Sequence, residues 1–480
     1  MSVAWLDWSA RAFARSEAEK KPILLSLVTA WSDECAAMDR TTFGDPAVAS
    51  LIDQGFVPVR VDADRHPDVN ERYNLGGWPT TVFLTSSGAI LSGGTYLSAA
   101  QMITALHQVS HAYPTVRREE VRDVRLPAFA EATAGLAKAR GDRASDGGQP
   151  DDAIDHFRSL LLDRFDPVHG GFGTSPKLPH PYALLFALSF PDDRELSQLV
   201  TFTLERLSAL WDPIEGGFYR YADGADWSHP GTEKTLEDNA ALLHVYVDAS
   251  VRGQNDPRDR AAAVVLWARN AMADQANGGF YNAQTSRGID DSKYVDRNAM
   301  MVGAFIRAAA LFDDIWLRDF ALKSLEAIVV PTYAPGDGVG HAGPVRGLLT
   351  DQVHVASALI WAHAATGQLP YSMLAAELMQ FAIRQMWDDE AGKFRDRVSA
   401  EDPVMPFELN CHASYVLDRL GVLTGDTAYH HRARRILHSF AAEYLEQEMF
   451  GAVYALAVRE VFGGQPPAGL ELTKVDWHLG

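Results

Sequence analysis

Hydrophobic and polar positions follow two different schemes along this chain. Up to about residue 112, short apolar runs, "PILLSLV", "FVPVRVDAD" and "TTVFLT", alternate with amphipathic stretches, which predicts strands interleaved with helices. The order read is a helix in "LDWSARAFARSEAEKK", a strand, a helix to about Gln54 and a second strand. A polar connection in "RHPDVNERYNLG" follows, then two strands joined at Ser-Ser-Gly and a closing helix in "SAAQMITALHQVSHAY". From about residue 150 the scheme changes. Amphipathic helices alternate with helices that are polar only in their first turn and apolar and small beyond it, about twelve in all, pairing as six hairpins.

Between the two helices of a hairpin pair a motif recurs: "FDPVHGGF" at Phe165, "WDPIEGGF" at Trp211, "ADQANGGF" at Ala273 and "WDDEAGKF" at Trp387, with a degenerate "APGDGVGHAG" near residue 335. Helices buried on both sides and ringed by amphipathic ones are what an (α/α)6 toroid requires, so the expected protein is multidomain. It has an α/β unit over 1–112, a connector over 113–150 with one helix near Ala128 to Arg140, and an all-α (α/α)6 toroid over 151–480.

In the α/β unit, "WSDEC" sits where a strand hands over to a helix, the place where a thioredoxin-type fold keeps its redox pair. The spacing has Ser32 where a first cysteine would stand and Cys35 where the second would. Pro79 in "GGWPTT", immediately before a strand, fits the cis proline that faces such a loop. A dithiol oxidoreductase needs an exposed, acidified first thiol to attack and a buried second one to resolve the mixed disulfide. Ser32 cannot do the first job, and Asp33 and Glu34 are expected to raise the Cys35 thiol. Cys35 is therefore read as a structural remnant or a monothiol centre, or as part of a binding groove with Trp31 and Pro79.

Charge narrows the partners. A formal net charge of −20 over 480 residues argues against nucleic acid or an anionic membrane as partner, and no apolar run of spanning length appears. Two cysteines and an N-terminus without an apolar core point to a cytoplasmic location, and neither the cysteines nor the His and carboxylate spacing suggests a metal or other cofactor.

The stretches "WLDWSARAFARSEAEKKPILLSL", "CAAMDRTTFGDPAVASLI", "FVPVRVDADRHPDVNERY", "GGWPTTVFLT" and "GGTYL" resemble the thioredoxin domain of the spermatogenesis-associated protein 20-like family. That family's pattern at the loop is Cys-His-Trp-Cys followed by His, from which this chain departs at Ser32, Asp33, Glu34 and Ala36. "GGFGTSPKLPHP" and "GTEKTLEDNAALLHVY" extend the resemblance into the second half, which is similar to the six-hairpin glycosidase and N-acylglucosamine 2-epimerase toroids. The resemblance implies a sugar-handling funnel.

Polar residues entering the inner helices are the site candidates, since convergent polar groups in a concave pocket make a binding site. Glu233, His412, His354 and Asp296 are the catalytic candidates. Lys177, His180, Lys234, Asp238, Asn239, Arg297, Asn298, Glu408 and Asn410 are the substrate-binding ones. Two histidines, or a His with a carboxylate, suit proton transfer next to a carbonyl, and two flanking carboxylates suit glycoside hydrolysis. The competing explanation is that the acids cap helix N-termini and the histidines are satisfied in the core. Two functions follow: a sugar isomerase or epimerase ahead of a hydrolase, or a non-catalytic binding or quality-control protein with a protein partner at the thioredoxin-like groove.

Overall fold

The computed structural model describes residues 3–116, 150–251, 255–398 and 403–463. The chain divides into two compact units, residues 1–143 and 144–480. The helix expected near Ala128 to Arg140 lies outside the described residues.

The first unit is a thioredoxin-like α/β fold: α1 (Ala10–Glu19), β1 (Ile23–Val28), α2 (Asp33–Met38), α3 (Pro46–Gly55), β2 (Val57–Asp62), α4 (Pro67–Tyr73), β3 (Thr80–Leu84), β4 (Ile90–Gly94) and α5 (Ala99–Val116). The sheet runs β2-β1-β3-β4, with β1 and β2 parallel and the other pairs antiparallel. Its apolar residues are buried on both faces, which explains why "ILLSLV" carries no alternation.

Three details differ from the pattern reading. The helix expected to run unbroken to Gln54 ends in a π-helical turn over Asp39–Phe43, and α3 starts afresh after it. Asp45 makes the new start: its carboxylate accepts from the Ala47 and Val48 N–H groups, with Pro46 at the first helical position. The "RHPDVNERYNLG" connection holds the two-turn α4, because Val69 and Tyr73, four residues apart, bury one face of it. The closing helix α5 continues through Pro114 to Val116.

The second unit is the toroid. Its helices are α6 (Ala153–Arg164), α7 (Pro181–Leu188), α8 (Arg194–Leu207), α9 (Leu236–Val251), α10 (Asn255–Trp267), α11 (Val295–Phe312), α12 (Ile315–Val329), α13 (Leu349–Thr366), α14 (Leu369–Met386), α15 (Phe407–Thr424), α16 (Thr427–Phe440) and α17 (Ala452–Gly463). The odd-numbered helices from α7 to α17 form a closed inner ring, each packed on the next and α17 on α7, and the even-numbered ones lie outside. Each recurring turn delivers the chain to the N-terminus of an inner helix, so the polar first turns gather at one end of the ring.

One chemical device builds the turns. In each, the aspartate Oδ1 accepts two backbone N–H groups: Asp212 takes those of Ile214 and Glu215 at 2.9 and 3.2 Å, and Asp166, Asp274 and Asp388 repeat the pattern. Oδ2 takes a cation from the segment that follows. Lys177 reaches Asp166 at 2.6 Å, Lys234 reaches Asp212 at 2.8 Å, Lys293 reaches Asp274 at 2.6 Å and Arg395 reaches Asp388 at 2.8 Å. The closing Phe is then clasped from the inner helix. The Asn239 amide accepts from Phe218 N–H at 2.7 Å and donates to Phe218 C=O at 3.0 Å, and Asn298 and Asn410 do the same for Phe280 and Phe394. Gln352 substitutes in the degenerate copy, holding Val339. Glycine is required at Gly217, where φ is +82° and a Cβ would stand 2.6 Å from the Trp267 ring.

Candidate functional site

The clasp dictates what faces the axis. Helical residues two apart point about 200° away from each other, so the residue two beyond each clasping amide turns from the turn layer to the centre. Those residues are Ala241, Met300, His354 and His412, and all of them line a partly open cavity of about 200 Å³ inside the ring. Five beyond the clasp stand His244, Gly303, Ser357 and Tyr415, and nine beyond it Asp248, Arg307, Trp361 and Arg419, again all lining the cavity. The wall is therefore layered, and seven residues of helix between first and last layer give it a depth of about 10 Å.

The layers differ in how far their polar groups are satisfied. At the deep end Arg307 pairs with Asp248 and meets His244 Nδ1 at 2.8 Å, while Arg419 holds Glu460 through two bonds of 2.7 and 3.1 Å. Nearer the polar end, His354 and His412 stand on adjacent helices with ring centroids 5.4 Å apart. Tyr182 lies 5.2 Å and Tyr415 6.0 Å from the His412 ring. His412 Nε2 is buried without a hydrogen bond, its nearest acid being Glu408 at 3.6 Å. Burial, and then the neighbouring His412, push His354 down to about 4, so its imidazole is neutral at pH 7. Burial and the carboxylates of Glu408, Glu237 and Asp238 push the Tyr182 phenol well up, which puts those three acids around it.

The remaining sequence candidates divide. Lys177, Lys234, Asn239, Asn298 and Asn410 belong to the turn-and-clasp device and do not line the cavity, and each is almost wholly buried with its polar atoms engaged. Their spacing mimics a site because the repeat puts a cation at the entrances of α7, α9, α11 and α15 and a clasping amide at the last three of these. Asp238 bonds Arg220 at 2.9 Å, and Arg297 bonds Glu237 at 3.2 Å and Asn282 at 3.1 Å, all in the first turns. Glu408 is half exposed there. His180 caps α7 with a left-handed backbone (φ 46°), its ring against Phe172 and Phe450, and burial lowers it to about 4. Glu233 is buried beside Gly231 and Tyr221, outside the cavity lining. Asp296 joins His341 and Asp351 rather than the cavity wall. The reading missed Tyr182, Tyr415, His244 and Arg307. Counting from the clasping amide would have found all but Tyr182.

In the first unit, Cys35 is buried in the first turn of α2, its N–H donating to Ser32 Oγ at 3.2 Å. Burial raises the thiol, and the charge of Asp39 adds to this. The Trp78–Pro79 bond is cis as expected, and Trp31 lies edge-on to Trp78 while bonding Asp64 at 2.6 Å. Cys35 and Cys411 are both free.

Two compact units, one a thioredoxin-like fold and the other an (α/α)6 toroid with an axial cavity, define the class. Residues 1–127 match the thioredoxin-DsbH family model, described as a protein of unknown function, DUF255. Over 311 residues the chain is 29% identical to spermatogenesis-associated protein 20 of Rattus norvegicus, an alignment covering 59% of this chain and 38% of that protein. The chain thus spans well under half the length of this curated relative. The toroid is similar to a sugar epimerase from a ruminal bacterium (TM-score 0.55, 12% identity, 61% of this chain and 86% of that one). It is also similar to a GH76 α-mannanase of Bacteroides thetaiotaomicron (TM-score 0.52, 11% identity, 68% and 97%). At these identities the likeness is one of fold. Among the described residues no helix is long and apolar enough to cross a membrane.

Proposed function

We propose that the axial cavity takes a small, uncharged sugar-like ligand and that His354 and His412 move a proton at it, an isomerase- or epimerase-like chemistry. The observation that carries this is the contrast inside the cavity. The carboxylates that line it, Asp248 and Glu460, are each tied to an arginine, and the imidazole pair is what remains to exchange protons. Hydrolysis needs two available carboxylates at the bond, and a wall whose acids are engaged suits it less. A volume of about 200 Å³ is below the roughly 300–1,000 Å³ of drug-sized sites, which fits a ligand of one sugar ring.

A neutral imidazole removes the proton next to the sugar carbonyl, and its neighbour, or the same ring once charged, returns it. Side by side on adjacent helices, the two rings address one face of the ligand, which favours return to that face and so isomerisation over inversion. The thioredoxin-like unit, lacking an attacking thiol, serves as a binding groove for a protein partner. Two buried free cysteines suit a reducing, cytoplasmic setting.

The test is incubation of the whole protein with neutral aldoses and ketoses in D₂O, followed by NMR. Deuterium incorporation next to the carbonyl, lost in both His354→Ala and His412→Ala, is the expected result. Sugars that bind without exchange would leave a binding protein, and no binding at all would end the carbohydrate reading.

A further inference from the structure

The degenerate turn holds a cluster that the cavity does not use. The strand Gly338–Ala342 carries His341 to the first turns of α11 and α13, where its Nδ1 lies 2.8 Å from Asp351 Oδ1 and 3.7 Å from Asp296 Oδ1. His341 is 1% exposed, Asp351 0% and Asp296 7%. The His341 ring is fixed by stacking on Tyr294, with centroids 5.2 Å apart. Asp296 is oriented by Thr350 Oγ1 at 3.0 Å and by the Arg297 N–H at 2.8 Å.

Two observations call for something more at this point. Two carboxylates face one imidazole, so even a protonated His341 leaves negative charge uncompensated in a site buried from solvent, and buried charge is retained only when paired or metal-bound. Arg297, the nearby cation, is engaged with Glu237 and Asn282. Independently, Asp351 Oδ2 is buried and has no hydrogen-bond partner, although its carboxylate is otherwise held by His341. A buried carboxylate oxygen without a donor is expensive unless a cation takes its lone pair.

We propose that Asp296, His341 and Asp351 bind a divalent transition-metal ion, Zn²⁺ or Mn²⁺, tying the degenerate turn to the N-termini of α11 and α13. Each residue offers one ligand atom, and the three atoms lie within 4.8 Å of one another. Nitrogen and oxygen ligands stand about 2.0–2.2 Å from zinc, so small side-chain rotations close this set on one ion. An imidazole among the donors favours a transition ion over Mg²⁺ or Ca²⁺. The other turns are closed by Asp and a Lys or Arg. Here Arg346 lies 3.9 Å from Asp337 and bonds the Thr332 and Gly338 carbonyls, so it is spent on the turn itself, and the ion supplies positive charge to Asp296 and Asp351. The proposal is independent of what the cavity binds.

The whole protein is stripped with a chelator, incubated with ZnCl₂ or MnCl₂, desalted and measured for metal content and melting temperature, alongside Asp351→Asn, His341→Gln and the surface control His431→Gln. Wild type and the control should retain one equivalent and melt higher with metal, and both site variants should lose the equivalent and the shift. Should the site variants fail to fold, the Mn²⁺-loaded wild type decides. Pulsed EPR showing one bound imidazole nitrogen supports the site, and a spectrum without it overturns it. Failure of the wild type to retain metal, or equal retention by folded site variants, also overturns it.

Discussion

Lys234 and Asp212 form a buried ion pair, Nζ to Oδ2 2.8 Å, with the lysine 2% and the aspartate 6% exposed, and the same lysine also donates to Gly216 C=O at 2.9 Å. Removing one partner leaves the other charge buried and alone, which typically costs about 3–5 kcal/mol. Lys234→Met should therefore destabilise the toroid by that order in urea unfolding, and the double variant Lys234→Met/Asp212→Asn should recover part of the loss. A single variant that unfolds like the wild type would show that the pair does not hold the turn.

The clasping amides should matter nearly as much. Asn298→Ala leaves the buried Phe280 N–H and C=O without their partner, and each orphaned group costs about 1–3 kcal/mol. Asn298→Asp keeps the acceptor but sets a buried carboxylate oxygen against the Phe280 and Tyr294 carbonyls, so its loss at pH 7 should be at least that of alanine and should lessen as the pH falls. A loss that does not change with pH would assign the effect to packing.

Acid should unfold the protein in two stages. The turn aspartates are held below the usual carboxylate range. Asp212 sits at about 2, where the Lys234 hydrogen bond and the turn N–H groups outweigh burial; Asp274 is lowered chiefly by Lys293. A depressed native pKa means that the unfolded chain binds protons first. This stabilisation is complete above the unfolded value near 3.9 and drains away as pH falls towards 2. His180, lowered to about 4 by burial, has the same sign at higher pH: its contribution is intact above about 6.5 and lost between there and 4. Melting temperature should fall modestly from pH 6.5 to 4.5 and steeply below 4. His354, also lowered to about 4, has the same sign, so His180→Phe should make the first limb shallower without removing it, and Asp212→Asn should do the same to the second, which Asp274 shares.

Cys35 should be slow towards alkylating reagents at pH 7, because burial raises its thiol and little thiolate is present. The protein should not turn over a model disulfide, since no attacking thiol precedes Cys35. Catalytic reduction abolished by Cys35→Ser would overturn this.

In the cavity, His412→Ala should abolish ligand binding while leaving the apo melting temperature nearly unchanged, since the Nε2 atom it removes has no hydrogen bond to lose. Glu233→Ala should separate the two halves of the sequence reading. As a buried residue outside the cavity lining, it should lower stability and leave sugar affinity in the folded protein intact.

The chain announced its architecture through periodicity. Apolar runs without alternation mark a sheet buried on both faces, and helices polar only at their first turn mark staves buried on all sides; both signals are local and survive in one dimension. The recurring Asp-x-x-x-Gly-Gly-Phe turn is equally local, because its aspartate bonds N–H groups two and three residues on. What spacing could not separate was the purpose of the polar residues that follow each turn. Lys177, Lys234, Asn239 and Asn410 enter the inner helices as His354 and His412 do, yet their partners are backbone groups 16 to 48 residues away, or turn aspartates 11 and 22 away. Only closing the ring decided that the first group is consumed in holding turns while the two histidines meet at the axis. The same closure brought His341 against Asp296 and Asp351, residues 45 and 10 positions away in sequence. Sequence determined which faces are apolar and where turns fall, since these depend on neighbours along the chain. Tertiary structure decided which polar groups are satisfied, since that depends on neighbours across it.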